Sequence, residues 1–376
     1  MQSEIWSGTE ALVRREAAWD DLWRRAPVTT PTARALPLAS FIETFSNPDG
    51  FRAIAVWDAD RLVAAVPLLA EHRGRWLHCL TLPHNAWCTG GTALVDAEWL
   101  GSPQVARILV DELTTLEWRA LLWDDLRTDE AIWTALVDVM RERGWFASWD
   151  PRASIAWLPI ARFRETLTHL SKGTRKKFRR AWRGLQSHGR VALRVVTPHH
   201  DATVARWVEQ AIDIEHHKSQ REGWTSIRTA GLAPFFTDQA RLVSAHGEFL
   251  LSLLEVDDRP VAFEYGWLAK RTYHSLKIGY IPDFARCAPG HLLMWKLGEH
   301  LARRGDVERV DCLCDATSTL PRTWRTEAYE TRRLWACRPA WLGRTLAWGL
   351  RQRRLLTSSL READVTAAVV APSVPG

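Results

Sequence analysis

The chain has 376 residues, of which 46% are apolar and 25% are charged. These values are close to the globular average, so they exclude a disordered or low-complexity chain apart from the last stretch. The length indicates two domains or one duplicated unit. The formal net charge of +6 suits acidic partners such as phosphates, coenzyme A, RNA or anionic lipid, and it selects none of them.

No run of about 20 apolar residues occurs in the sequence, so we predict no membrane-spanning segment. Residues 1–10 include two acidic residues and no apolar run, which argues against a signal peptide. The six cysteines form no C-x-x-C motif, and Cys312 and Cys314 are spaced too closely for a usual zinc site. We therefore expect free thiols, no metal and a cytoplasmic location.

The first 150 residues predict a mixture of helices and strands. An apolar stripe predicts a helix over 11–25, and a loop rich in Pro and Thr follows over 27–37. A β-hairpin is predicted with strands at 51–57 and 62–69, followed by a third strand at 76–82. A helix over 102–115, a strand over 118–123 and a helix over 129–143 complete this half.

The second half repeats this order. Strands are predicted at 249–256, 261–268 and 272–280, then a helix at 290–304 and a strand at 307–313. Phe51 aligns with Phe249 and Arg61 with Arg259 at one offset of 198 residues (249 − 51 and 259 − 61). We predict two tandem mixed α/β units, 1–160 and 161–340, with a linking region near 150–168.

A basic helix is predicted between the halves, over 171–189. Its apolar residues fall on one face at helical spacing, and its other faces carry Arg175, Lys176, Arg179, Arg180 and Arg183. These cations form either a solvated helix face or a docking surface for an anionic partner. Such a partner is a polyphosphate, a nucleotide-linked substrate or, with less support, RNA.

A second basic amphipathic helix is predicted at the start of the region 341–376, with Trp341 and Leu342 among arginines. Its pattern is typical both of a helix packed on the domain and of one lying on a membrane surface, here the inner face. From residue 367 onward the composition predicts a disordered tail.

The third strand of the second half leads into a short turn and a helix. Pro289 suits the first turn of a helix, and Gly290 lets a ligand approach the backbone closely. Free N–H groups at a helix start bind phosphate, and Arg286 adds a positive charge. This arrangement predicts a pyrophosphate site. The first half has no Pro-Gly turn that leads straight into a helix and has a Gly90-Gly91 pair instead, so we expect only the second half to bind the pyrophosphate-bearing ligand.

Four stretches together resemble the tandem GNAT acetyltransferases of the CelD-like family, which are associated with cellulose or exopolysaccharide biosynthesis. They are the basic helix 171–189, the segments 215–218 and 223–227, the hairpin and strand 258–280, and the turn 289–293. The resemblance implies a mixed α/β (α+β) fold of two tandem GNAT-like units, each a mixed, mostly antiparallel sheet flanked by helices.

The resemblance also implies acyl-CoA, in the first place acetyl-CoA, as co-substrate, with no metal. The implied cofactor-binding residues are Ile278, Tyr280, Arg286, Pro289, Gly290, His291 and Leu292. The implied substrate-binding residues are Glu215, Lys218, Trp224, Asp315 and Trp324. Ile281 stands where the family tends to have an acidic residue, and the stretch after Asp311 departs from the family pattern.

Three charged residues lie inside predicted core strands, where burial is costly without a partner or a purpose. They are Glu264, Lys277 and Asp311. In one interpretation Glu264 and Lys277 form a buried structural ion pair. In the other Glu264 is the general base and Lys277 orients it or holds the acceptor.

These observations predict an acyl-CoA-dependent N- or O-acyltransferase that acts on a small-molecule or saccharide-type acceptor by direct transfer. Two alternatives stay open. Fem-type aminoacyl transferases resemble the same tandem fold and take their acyl group from aminoacyl-tRNA, although no coiled-coil arm of the Fem type is seen in the sequence. A degenerate fold serving as a non-catalytic binding module is the other alternative.

Overall fold

The computed structural model of the protein describes residues 1–73, 77–85, 88–89, 91–164, 167–197, 201–341 and 343–345. Gly90 and most of the predicted C-terminal helix and tail, 341–376, lie outside the described residues. The region is therefore a prediction from sequence only.

Among its described residues the first half has nine strands and five α-helices, and the elements predicted from the sequence occur among them in the predicted order. They are β1 (Gln2–Ser7), α1 (Thr9–Arg14), α2 (Glu16–Arg25), α3 (Ala35–Phe45), β2 (Phe51–Asp58), β3 (Arg61–Arg73), β4 (Leu77–Thr81), β5 (His84–Asn85), β6 (Cys88–Thr89), β7 (Leu94–Val95), α4 (Pro103–Thr115), β8 (Ala120–Arg127), α5 (Ala131–Glu142) and β9 (Phe146–Pro159).

The second half follows with the same alternation. Its elements are α6 (Ala161–Arg164), α7 (Lys172–Gln186), β10 (Val191–Val196), α8 (Asp201–Glu222), α9 (Ala233–Ser244), β11 (Phe249–Val256), β12 (Arg259–Ala269), β13 (Thr272–Tyr280), α10 (Pro289–Arg304), β14 (Arg309–Asp315), α11 (Thr319–Trp324) and β15 (Glu327–Cys337). A 3₁₀ helix, Pro282–Cys287, joins β13 to α10.

Apart from β5 and β6, which form a separate two-stranded sheet, the strands of the described residues form one mixed sheet with a two-fold pattern. The order is β1-β2-β3-β4-β8-β15-β9-β14-β13-β12-β11-β10, with β7 beside β3. Read from either end, each half contributes four antiparallel strands and then one parallel strand, because β4 pairs parallel with β8 and β13 with β14. Each half is thus one GNAT-like unit of a tandem fold, in which β9 and β15 have exchanged places at the centre.

The two hairpins have the same register at the predicted offset of 198. Phe51 lies opposite Leu69, and Phe249 lies opposite Trp267. The register of β2–β3 shifts between residues 56 and 57, and that of β11–β12 shifts between residues 254 and 255, so the β-bulge recurs at the same offset. A shared bulge is a more specific mark of repetition than shared hairpin residues, because bulges occupy defined places in a sheet.

Apolar clusters on both faces of the sheet fix the helices. One cluster packs α1–α3 and α8–α9 on the same face across both halves, where the Phe41 and Phe235 rings are 6.4 Å apart. On the other face, α4 and α5 cover the first half. Helices α6, α7 and α10 cover that face of the second half.

Three expectations from the sequence need correction. The helix predicted over 11–25 is interrupted at Arg15, whose φ of −110° is not helical. The helix predicted over 129–143 begins two residues later, at Ala131, and Asp129 accepts hydrogen bonds from Arg127. The region 150–168 is not a linker, because it contains most of β9, which lies at the centre of the sheet between β15 and β14.

Helix α7 ends three residues earlier than its sequence pattern suggests. The Ser171 hydroxyl oxygen accepts the backbone N–H of Thr174 at 3.1 Å and caps its first turn. Phe178 and Leu185 are buried against the second half, which fixes one face of the helix. The predicted basic residues occupy the remaining faces.

Candidate functional site

Strands β13 and β14 pair over three residues and then separate. The pairs run from Thr272 opposite Arg309 to His274 opposite Asp311. Both strands continue beyond the last pair, β13 to Tyr280 and β14 to Asp315. The separation opens a cleft within the sheet of the second half, with the turn before α10 at its outer end.

A β-bulge on β13 lies at the inner end of this cleft. Tyr265 lies opposite Lys277 and Gly266 opposite Ser275, so Leu276 is an extra residue on β13. A bulge leaves backbone groups out of the ladder, where an N–H can donate to a ligand carbonyl oxygen. The corresponding β3–β4 pair of the first half keeps an uninterrupted register over five pairs.

The turn between β13 and α10 forms the outer end of the cleft. Ala288 adopts a left-handed conformation (φ 46°, ψ 51°), and α10 begins at Pro289, as predicted. A Cβ on Gly290 would lie 3.6 Å from Ile278 Cδ1 and 3.9 Å from Tyr280 Cδ1, so these three predicted cofactor residues are neighbours. The N-terminal N–H groups of α10 can bind a phosphate here.

The other predicted cofactor residues occupy different positions around this turn. Arg286 is exposed on the 3₁₀ helix, whereas Pro289 and Leu292 are buried. His291 Nδ1 accepts a hydrogen bond from Trp324 Nε1 at 3.2 Å, and burial lowers the pKa of His291. Pro289 and Leu292 therefore shape the turn from within.

Two predicted substrate residues lie beside the outer end of the cleft. The Lys218 ammonium is 4.8 Å from the centre of the Tyr280 ring and 5.5 Å from that of Trp224. Trp224 is 57% exposed, which is rare for so large an apolar side chain. The end of α8 thus brings an exposed aromatic ring and a cation to the edge of the predicted cofactor turn.

Lys277 pairs with Glu215 and not with Glu264. Lys277 Nζ lies 3.2 Å from Glu215 Oε1, and Glu215 Oε2 also accepts the backbone N–H of Ile227 at 3.0 Å. Lys277 lies opposite Tyr265 and Glu264 lies opposite Ile278, so Lys277 and Glu264 project from opposite faces of the sheet. The expected Glu264–Lys277 ion pair is wrong, and Glu215 is a buried link between α8 and β13.

Glu264 lies in an enclosed polar cluster on the α10 side of the sheet. It is 2% exposed, and its Oε2 makes no hydrogen bond of normal geometry within the described ranges. Burial raises the pKa of Glu264 to about 7, while the hydroxyls of Ser275 and Tyr273 act in the opposite direction. Ser252, its cross-strand neighbour, is also fully buried.

A cavity of about 590 Å³ occupies the centre of the molecule. Its wall is formed by β8, β9, β14 and β15, by the start of β13, and by loops of the first half near residues 27–30 and 84–92. Residues of both halves line the cavity. His274 and Asp311 lie in its wall and also at the inner end of the β13–β14 cleft. An acyl group held in the cleft would therefore face an acceptor held in the cavity.

Asp311 and His274 face each other across this inner end. The carboxylate of Asp311 accepts the backbone N–H of Leu313 and the hydroxyl of Tyr329, both at 3.0 Å. His274 is 2% exposed, and neither ring nitrogen makes a hydrogen bond of normal geometry within the described part of the chain. Burial lowers the pKa of His274, and the Arg309 cation lowers it further. The Asp311 carboxylate and a hydrogen bond to the Thr29 backbone act to raise the pKa.

Acidic and basic side chains alternate around the rest of the cavity. Asp124 lies 3.0 Å from Arg152 and 2.6 Å from Arg333, and Asp125 lies 3.5 Å from His84. Asp125 also has a left-handed φ of 54°, which is unusual for a residue with a side chain. The first half therefore supplies a polar wall to the cavity.

Two predicted substrate residues do not reach this site. Trp324 is fully buried among Phe163, Phe178 and His291, so its side chain is not accessible to an acceptor. Asp315 accepts the backbone N–H and the hydroxyl of Thr317 at 2.7 and 2.6 Å, which closes a turn after β14 and lowers the pKa of Asp315.

Most of the cavity wall was not singled out from the sequence. The Asp124-Asp125 pair directly after an apolar strand was one available signal, because buried strands rarely end in two carboxylates without a use for them. His274, inside a predicted core strand, was another. Tyr329 and Arg152 carry no comparable signal, since they belong to β15 and β9, whose polar sequences were not recognised as strands.

The comparison with family models matches most of the second half of the chain. The sequence profile of the Acetyltransferase (GNAT) domain family matches residues 172–321, from α7 to α11. This stretch contains the bulge, the turn and α10. No curated protein sequence matches the chain. Among the described residues, no helix has both the length and the apolar character that crossing a bilayer requires.

Solved structures share the whole fold. FemX has a TM-score of 0.59 and 12% identity, covering 89% of this chain and 97% of its own. A C-terminal domain (DUF2156) named as that of a lysylphosphatidylglycerol synthetase from Agrobacterium fabrum has a TM-score of 0.52 and 12% identity, covering 89% of this chain and 95% of its own. L-PGS from Bacillus licheniformis has a TM-score of 0.50 and 9% identity, covering 93% of this chain and 97% of its own. This chain thus shares a fold of two GNAT-like units with these proteins, and its residues 172–321 are similar to the acetyltransferase (GNAT) domain.

Proposed function

We propose that the protein is an acyl-CoA-dependent N- or O-acyltransferase that transfers an acetyl group directly to an acceptor held in the central cavity. The observation that carries the proposal is the separation of β13 from β14 beyond His274 and Asp311, with the turn before α10 at the outer end of the opening and the central cavity at its inner end. A helix start that can bind phosphate and a cavity that can hold an acceptor are the two sites that a thioester donor and its acceptor require.

The chain's residues would divide the work as follows. The α10 turn with Gly290, Ile278 and Tyr280 binds the pyrophosphate and its attached arm. The Leu276 bulge offers backbone N–H groups to the thioester oxygen. The walls of the cavity orient the acceptor and exclude water. We assign the second half alone to the donor, because the described β3–β4 pairs of the first half show no register shift like that of β12–β13.

The resemblance to the CelD-like family supports a saccharide-type acceptor within this proposal. Contact with the inner membrane face, through the sequence beginning at Trp341, would fit such a role. The saccharide-type acceptor and the membrane contact both rest on sequence patterns.

Binding of acetyl-CoA tests the proposal directly. A ligand that binds only the folded protein stabilises it by RT ln(1 + [L]/Kd), which is about 2.7 kcal/mol at a hundredfold excess over Kd. We expect acetyl-CoA to raise the melting temperature and Gly290→Trp, which fills the turn, to abolish the increase. A wild-type protein that acetyl-CoA does not stabilise would contradict the proposal.

A Fem-type aminoacyl transferase is the second candidate. The fold similarity to FemX and the exposed basic residues of α7 favour it. Stabilisation by an aminoacyl-tRNA together with indifference to acetyl-CoA would select this candidate. Indifference to both donors would select a non-catalytic binding module.

A further inference from the structure

The wall of the central cavity contains a cation and an anion that do not neutralise each other. Arg309 and Asp311 lie two residues apart on β14 and line the cavity together. Within the described residues, neither forms an ion pair. The donors that Asp311 does use, the Leu313 N–H and the Tyr329 hydroxyl, are both neutral.

The other arginines of the wall are already occupied. Arg127 donates to both oxygens of Asp129, at 3.1 and 2.7 Å, and Arg152 pairs with Asp124 at 3.0 Å. Arg309 makes one side-chain hydrogen bond, from Nε to the Thr272 hydroxyl at 3.3 Å. Its remaining guanidinium donors are therefore the ones that a bound anion can use.

His274 adds an unused proton acceptor on the same wall. Its ring is 2% exposed and lines the cavity, and neither nitrogen makes a hydrogen bond of normal geometry among the described residues. The Thr29 backbone can accept a hydrogen bond from one ring nitrogen, and the other nitrogen of this buried imidazole is costly to leave without a partner unless a ligand completes it. The nearby Asp311 carboxylate would stabilise the imidazolium that forms when the ring takes a proton.

We propose that the acceptor is an amine that also carries a carboxylate or phosphate, with Arg309 binding the anionic group and His274 taking the proton from the amine. The inference rests on the proposed function. The amine nitrogen forms a bond to the acyl carbon, the carbon–sulfur bond breaks, and coenzyme A leaves as the thiolate. The proton lost by the nitrogen passes to His274 and returns to the thiolate or to water.

Matched amines that differ in their anionic group test this inference. Release of free thiol from acetyl-CoA is followed with ethanolamine against phosphoethanolamine, glucosamine against glucosamine 6-phosphate, and propylamine against β-alanine. We expect the anionic member of at least one pair to have a kcat/KM about tenfold or more above its neutral counterpart. The phosphate and carboxylate pairs separate the two kinds of anion.

Two variants connect the result to the named residues. Arg309→Met is expected to lower kcat/KM for the anionic member much more than for the neutral amine, and so to remove the advantage of the anionic member. His274→Gln is expected to lower kcat by about 10²–10⁴-fold for both members and to leave KM largely unchanged. Arg303→Met on the exposed end of α10, and His300→Gln on the same helix, are the matched controls and should behave as wild type.

A variant that acetyl-CoA still stabilises is folded. If His274→Gln is not folded by this criterion, His274→Asn is used in its place. Equal rates within every pair, or normal turnover of His274→Gln, would overturn the inference. If no amine reacts, thermal shifts with the same six compounds decide: stabilisation by an anionic member supports it, and stabilisation by none refutes it. If the inference fails but the wild-type protein still binds acetyl-CoA, the proposed function stands. If the wild-type protein does not bind acetyl-CoA, both the proposed function and this inference are wrong.

Discussion

Glu264 occupies a position that the first half fills with a hydrocarbon. At the offset of 198, Glu264 and its partner Ser252 correspond to Val66 and Ile54, which are paired across β2–β3. A buried carboxyl in place of a valine lowers the free energy of unfolding, so its presence here indicates a role other than packing. Because Glu264 faces α10 and not the central cavity, we assign proton transfer to His274 and regard the role of Glu264 as a separate question.

The stability of the protein should report the ionisation of Glu264. Its pKa is raised from 4.5 to about 7 in the folded state, so the native protein holds a proton that the unfolded chain has lost. The wild type therefore loses stability relative to Glu264→Gln as pH rises from 4.5 to 7, by about 3 kcal/mol in total, and the difference is then constant. Urea unfolding at pH 5, 6, 7 and 8 measures this.

Exposed Glu142→Gln provides the matched control for the loss of a carboxylate. A Glu264→Gln protein whose stability relative to the wild type is the same at pH 5 and pH 8 would contradict the prediction. The same variant tests the hypothesis of Glu264 as general base, since a fall in kcat of about 10²–10⁴-fold without a loss of folded protein would restore that role.

Helix α7 lies directly beside the turn that precedes α10. The Phe178 and His291 ring centres are 5.6 Å apart, and a Cβ on Gly184 would lie 3.5 Å from Cys287 Sγ. Among the described residues, no acidic side chain pairs with the predicted basic residues of the helix, which are Arg175, Lys176, Arg179, Arg180 and Arg183. The position favours an anionic partner over a merely solvated face.

We expect this basic face to contribute to binding the 3′-phosphate of coenzyme A. The wild type should bind acetyl-CoA about tenfold more tightly than its 3′-dephospho form, because a phosphate near several cations is favoured electrostatically. Replacing Arg179, Arg180 and Arg183 by Ala should remove that difference. Titration calorimetry at two salt concentrations measures both effects.

The matched control replaces three exposed arginines of the first half, Arg14, Arg24 and Arg141, by Ala. Equal affinity of the wild type for the two forms would assign the basic face to solvent or to another anion. That result would leave the proposal that the protein binds acetyl-CoA in place.

The elements that could be predicted from sequence are those with a regular apolar period. The hairpins, α7, the turn and the start of α10 at Pro289 follow from periodicity and turn chemistry. β9 and β15 could not be found this way. β9 contains Asp150, Pro151 and Arg152 in its middle and lacks the alternation of a half-buried strand, and from Arg152 onward part of it lines the polar cavity. The cavity itself joins segments more than 200 residues apart and has no local signal.

Polar contacts hold the two halves together at the rim of the cavity. Arg34 of the first half pairs with Glu248 of the second at 2.8 Å and with Asp20 at 2.7 Å. The Lys270 ammonium, at the β12–β13 turn, donates to the backbone carbonyls of Ala26 and Val28 at 2.6 and 2.7 Å. These contacts position the loop after α2, which forms part of the cavity wall.

Removing the Lys270 ammonium should loosen this loop. Lys270→Met leaves those carbonyls without their donor, which costs about 1–3 kcal/mol for a buried group. We expect faster hydrogen exchange in residues 26–30 and no change in α10. Exposed Lys172→Met is the control, and unchanged exchange in residues 26–30 would show that the loop is held by its apolar contacts alone.

The exchange of β9 and β15 predicts that the halves cannot fold apart. A chain divided after residue 160 leaves the first fragment without β15, which pairs with β8, and the second without β9, which pairs with β14. We expect each fragment alone to be insoluble and the two together to form a complex when co-expressed. Two separately soluble, monomeric fragments with cooperative melting would establish independent domains at 1–160 and 161–340.

The place of β15 also governs when the molecule can be completed during translation. Arg333 of β15 pairs with Asp124 of β8, a residue made 209 positions earlier. At roughly 5–20 residues per second, a ribosome needs about 10–40 s to cover that distance. Until then the edge of β8 is uncovered, and an exposed strand edge invites pairing with other chains. The nascent first half is thus the stage at which this protein most needs protection from aggregation in the cell.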